Sequence, residues 1–141
     1  MSEHWATDVI GKKWQAYATG PQCFDCWGLV CHGFQNMHGI DLDRHLEIPT
    51  LNPVAFHKVV MTEIKTGNWQ QLDHAEDGCL ILMSTARIWH HVGMWLNING
   101  GRLLHSREGL GVTLDSKRTL NSFHRVEYWK YVPVIHSAPS I

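Results

Sequence analysis

Four cysteines and eleven histidines in a chain of 141 residues supply the side chains for nucleophile and base chemistry, and spacing decides which of them could act together. A thiol attacks well only as thiolate, a state that a helix N-terminus and a neighbouring imidazole both favour. From Cys26 the apolar positions run Leu29, Val30, Gly33, Phe34 and Met37, the i, i+3, i+4, i+7 stripe of a helix, so Cys26 sits at a helix start. His91 opens a strand in which Val92, Met94 and Leu96 face one way while His91, Gly93 and Trp95 face the other. If the aliphatic face is core, His91 looks out of it. A helix N-terminus bearing the cysteine, packed on a sheet bearing the histidine, is the geometry a Cys-His pair requires, and the expectation is a sulfur held anionic beside a ring nitrogen.

The remaining candidates read more plainly. Cys31 and Cys79 lie among apolar neighbours on a helix and a strand and read as core, and His90 points to the face opposite His91. Cys23-x-x-Cys26 has the spacing of a redox dithiol but lacks the βαβ context of such motifs. Zinc on Cys23, Cys26, Cys31 and a histidine lacks a second CxxC or a spaced histidine pair to complete four ligands. No metal and no cofactor is expected.

Around these residues the pattern is helices first and strands afterwards. Ser2 can cap a short helix bearing Trp5, Ala6, Val9 and Ile10, with Gly11 as its stop, and 12–24 reads as loop. The helix from Cys26 follows. Asn52 as cap and Pro53 in the first turn begin another, with Phe56, Val59, Val60 and Ile64 inward and Gly67 beyond its end. Strands are expected over Cys79–Met83, His91–Asn97, Arg102–Ser106, Gly111–Leu114 and Phe123–Val132, joined by short Gly- and Asn-bearing loops that favour antiparallel pairing. The fold class is therefore α+β, with N-terminal helices on a mostly antiparallel sheet of five to six strands. Residues 1–141 read as one domain, with only His136 to Ile141 frayed.

The strings Asp25-Cys26-Trp27-Gly28-Leu29-Val30 and His91-Val92-Gly93-Met94-Trp95-Leu96 resemble the signatures of the NlpC-type cysteine peptidases, a papain-like family. Asp77-Gly78-Cys79-Leu80-Ile81-Leu82-Met83, Leu104-His105-Ser106 and Gly111-Val112 are similar to its remaining blocks, in order and across nearly the whole chain. The resemblance implies that Cys26 attacks an amide carbonyl of a peptidoglycan stem peptide, that His91 takes and returns the proton, and that His105 holds the imidazole in its working tautomer. It further implies that Asp25 fixes the free amine of the stem peptide, although a helix cap explains that residue equally well. Trp14 stands where the family carries Tyr, twelve residues before the nucleophile, and an indole N–H can donate but not accept. Trp27 stands where the family carries Ser and is expected to reshape the peptide cleft. His105 can assist His91 only in one register. A two-residue Asn99-Gly100 turn would put the two imidazoles on opposite faces, whereas a five-residue loop over Asn97–Gly101 would set His105 against Gly93, with its backbone about 7–8 Å from that of His91. The second register is the expected one.

With 12 basic against 13 acidic residues and no Lys/Arg run, the chain offers nothing that follows a phosphate backbone, so nucleic acid is not an expected partner. Its apolar runs are too short for stable membrane insertion, and MSEHWATDVIGKKW lacks the apolar core of a secretory signal. The family likeness implies the bond between the D-glutamate side-chain carboxyl and a diamino acid. Trp27 after the nucleophile is similar to phage tail-associated members, which implies a protein made in the host cytoplasm, carried in the virion tail with tip or hub proteins, and acting on the cell wall in the periplasm. A structural tail-tip plug or assembly role with weak peptidase activity is the alternative.

Overall fold

In the computed structural model, which describes residues 4–42 and 51–133, six strands form one antiparallel sheet. They are β1 (Trp69–Leu72), β2 (Leu80–Ser84), β3 (His91–Leu96), β4 (Arg102–Arg107), β5 (Gly111–Asp115) and β6 (Arg125–Tyr131), in the order β1-β6-β2-β3-β4-β5. Every pairing is antiparallel, as the short turns led one to expect. The α+β class agrees with the sequence, and the sheet has the upper number of the five to six strands expected. β1, a four-residue edge strand with a mixed burial pattern, carries too little period-two signal to be seen there. A 3-10 helix at Lys117–Ser122 was likewise not anticipated.

Two helices precede the sheet. α1 (Cys26–His38) begins where the apolar stripe begins and ends on Gly39, whose φ of 67° is the left-handed conformation that closes a helix. α2 (Pro53–Ile64) has Asn52 as cap, accepting from the Ala55 N–H, and Pro53 in its first turn. The first helix is shorter than its apolar pattern: it is a single 3-10 turn, Trp5–Asp8, capped by the His4 ring rather than by Ser2, which lies outside the described residues along with the 136–141 tail. The segment 12–24 is more ordered than a loop, because Lys13 bridges Cys23 and Thr19 bridges Phe24, folding it back beneath α1.

Each face of the sheet is covered. Leu80, Leu82, Val92, Met94, Leu96, Leu104 and Val112 face α1 and the N-terminal segment. Cys79, Ile81, Met83, Trp95 and Leu103 form the other face, closed by Leu120 and Phe123. All of β3 is consequently buried, His91 included. His91 thus looks into a second packed layer and not out of the core. Among the described residues no helix is long and apolar enough to cross a membrane.

Candidate active site

The site is assembled at one end of β3. His91 and His105 belong to the sheet face opposite α1, whereas Cys26 comes from α1 itself; they converge because His91 is the first residue of its strand and the Cys26 sulfur lies against the Val92 backbone. Cys26, His91 and Trp14 line one pocket of about 280 Å³, together with His90, Ser106, Arg107, Glu108 and Phe123. The Phe123 ring stacks on the His91 imidazole at 6.2 Å between centroids and holds its plane.

The β3–β4 register decides the role of His105. Leu96 pairs with Arg102 and Met94 with Leu104, so 97–101 is the five-residue connection and the two imidazoles share a face. His91 Nε2 lies 2.9 Å from His105 Nδ1, and His105 Nε2 lies 2.7 Å from Asp115 Oδ2. That oxygen accepts, and it also takes a hydrogen bond from Arg107 Nη2 at 3.2 Å. His105 therefore carries its proton on Nε2 and accepts at Nδ1, which obliges His91 to donate from Nε2. The lone pair of His91 is left on Nδ1. A neutral imidazole so oriented is a base with one assigned tautomer, fixed through two relays from a carboxylate.

Sequence reasoning missed Asp115. It lies diagonal to His105 across the β4–β5 ladder, where His105 pairs with Thr113 and Leu103 with Asp115. Its place on the same face follows from that register, which the sequence alone did not specify. His90, set aside as structural, lines the pocket and accepts from the Thr85 N–H.

Two further expected site residues, Trp27 and Asp25, are not among those lining the Cys26 pocket. Trp27 is packed in the core beside Val30, Phe34 and Phe56, and it lines a separate cavity against α2 with Lys58, Val59 and Glu63. Successive residues on a helix point about 100° apart, so a side chain following Cys26 turns away from the face the thiol uses. Asp25 is 3% exposed; its Oδ1 accepts from the Gly28 N–H at 2.6 Å and its Oδ2 from the Tyr17 N–H at 2.9 Å. Both oxygens are thereby engaged in fixing the helix start to the preceding loop, the capping role.

The protonation of the pair also differs from expectation. Burial pushes the Cys26 thiol up to about 12, and the Asp25 carboxylate adds to this, while backbone N–H groups of Val92, Trp27 and Cys26 pull the other way. Burial likewise holds His91 well below its ordinary 6.5, reinforced by His105, His90 and Arg107. Both shifts favour the neutral thiol and neutral imidazole. Removal from water penalises the charged forms of both groups, against the pull of the helix terminus on the thiolate. All four cysteines are free thiols, and the Cys23 sulfur donates to Gln15 Oε1 rather than pairing with Cys26.

A cysteine at the start of a helix laid on an antiparallel sheet, with its base on a central strand, is the papain-like arrangement. Within that class the chain belongs to the NlpC/P60 family, whose model matches residues 11–134. Members of this family are cysteine peptidases acting on peptidoglycan. The fold is similar to the crystal structure of the NlpC/p60 domain of the peptidoglycan hydrolase SagA, with a TM-score of 0.58 and 18% sequence identity, over 87% of this chain and 91% of that one. No curated protein sequence matches the chain.

Proposed function

We propose that the protein hydrolyses an amide in the peptide part of peptidoglycan, at the bond between a D-glutamate side-chain carboxyl and a diamino acid. The observation that carries this is the row Asp115, His105, His91, whose last ring lines the same pocket as Cys26. Because thiol and imidazole rest neutral, the proton moves from Sγ to His91 Nδ1 as sulfur attacks the carbonyl carbon, not before. The Cys26 and Trp27 N–H groups, in the first helical turn and directed at the Cys26 sulfur, turn to the developing oxyanion as that sulfur becomes bonded to carbon. His91 then gives the proton to the departing amine, and water, deprotonated by the same nitrogen, opens the thioester. Trp14, on the pocket wall, supplies an indole donor where the family has a phenol.

Purified protein incubated with wall fragments should yield a new free amine on the diamino acid and a new γ-carboxyl on D-glutamate, both identifiable by mass. Cys26→Ala should reduce the rate by at least roughly a thousandfold. An undiminished rate in that variant would dismiss the mechanism.

Delivery in a phage tail, with tip or hub proteins as partners and the periplasmic cell wall as destination, is part of the same proposal. It is supported by the Trp27 that follows the nucleophile, similar to tail-associated relatives. Labelling the protein in purified particles tests it. A second reading, a tail-tip plug with weak activity, draws on the burial of the Cys26 thiol, 4% exposed in this structure. Particles carrying Cys26→Ala separate the two: unchanged infection with assembly intact favours the plug.

A further inference from the structure

One lining residue of the pocket has a permanent positive charge and no assigned part in proton transfer. Arg107 ends β4 two residues after His105 and so shares its face. Its Nη2 donates to Asp115 at 3.2 Å, about a third of the side chain (34%) remains exposed, and the residue lines the pocket. The position works against catalysis taken alone. A cation there disfavours the imidazolium that His91 must become, and it is one of the causes holding both imidazoles down. An anion arriving with the substrate would reverse that cost, since a paired guanidinium no longer opposes the developing charge.

We infer that Arg107 binds a free carboxylate carried by the substrate beside the scissile amide, and so makes the protein prefer substrates with that carboxylate over their carboxamides. This rests on the peptidase reading above. A γ-linked glutamyl unit keeps its α-carboxylate a few bonds from the reacting carbonyl, and a guanidinium fork matches a carboxylate where a carboxamide would offer one acceptor and no charge. Asp115 anchors one terminal nitrogen, which orders the fork before substrate arrives. Glu108, the only other charged side chain of constant sign lining the pocket, is exposed on the following turn, where solvent and salt screen it.

The test uses two synthetic γ-D-glutamyl-diamino acid peptides, identical except that one has the α-carboxylate and the other the α-carboxamide. The wild-type protein should favour the carboxylate by about 10- to 100-fold in kcat/KM, the worth of a charge-assisted hydrogen-bonded pair. In Arg107→Gln the preference should fall to within about 3-fold, through KM for the carboxylate peptide, while the acid limb of the rate profile moves to higher pH. Arg107→Lys keeps the charge and loses the fork; it should lose most of the preference and also serves if the Gln variant folds poorly. Equal cleavage of both peptides by the wild type, or full preference surviving in both variants, overturns the inference and leaves the peptidase reading standing. Cleavage of neither peptide by the wild type overturns both. A merely structural Arg107 would show as a loss of kcat on the two peptides alike, with the preference kept, which also overturns it.

Discussion

At the scale of single residues, burial disfavours the charged forms of both the Cys26 thiol and the His91 imidazole. With the thiol raised to about 12, alkylation of Cys26 by iodoacetamide should climb continuously through the alkaline range. A thiolate-imidazolium pair would instead react at a level rate from mildly acid pH upward, and finding that plateau would refute the neutral pair. With His91 held well below 6.5 and acting as the proposed base, the acid limb of kcat/KM should fall below pH 6.5 and leave the rate flat across neutrality. Asp115 acts at one remove. Asp115→Asn offers His105 an amide donor, which allows the relay to reverse and put the His91 proton on Nδ1; kcat should drop by about 10²- to 10⁴-fold with little change in KM. An unaltered kcat would mean that the tautomer is fixed by something else.

At the scale of elements, α1 must begin at Cys26 and lie close to the segment before it. Gly28 faces the Ala18 carbonyl, and a Cβ at that position would collide with this backbone oxygen. Gly28→Ala should therefore lower stability by about 1–3 kcal/mol, read as a shifted urea midpoint, and reduce activity by displacing Cys26. Trp27→Phe should behave in the opposite sense, since its side chain lies outside the Cys26 pocket: stability changes, and the ratio of rates on different wall peptides stays constant. The helix starts were legible because caps and apolar stripes are local signals: Asp25 before Cys26 and Asn52 before Pro53. The direction of Trp27 was not. Its family position suggested the cleft, and only its place in the apolar cluster with Phe56 and Val60 showed which side it serves.

At the scale of the molecule, burial of titratable groups couples folding to pH. His91 is neutral in the native protein to a pH well below 6.5, whereas an unfolded imidazole takes up its proton near 6.5. As pH falls below that value the unfolded state binds more protons and stability decreases. Cys26 acts at the other end. The unfolded thiol releases its proton near 9.0 and the native one near 12, so stability decreases as pH rises between the two. Midpoints of urea unfolding across pH should fall on both sides, and Cys26→Ala should make the alkaline fall shallower without touching the acid side, leaving the part due to Cys79, whose thiol burial raises to about 11.

The residues of the site were available from type and spacing: a thiol at a helix start, an imidazole at a strand start, and a second imidazole in the following strand. Local rules determined these because capping, apolar period and turn length act over a few residues. Even the β3–β4 register could be posed as a choice between two loop lengths. What the tertiary structure decided was everything that depends on surroundings. It placed Asp115 behind His105 through a β4–β5 register with no local signature, turned Trp27 inward, engaged both oxygens of Asp25, and covered the second sheet face. That last layer removes water from His91 and, with α1, from Cys26. Protonation answers to desolvation, and desolvation is a property of the packed whole that no window of sequence contains.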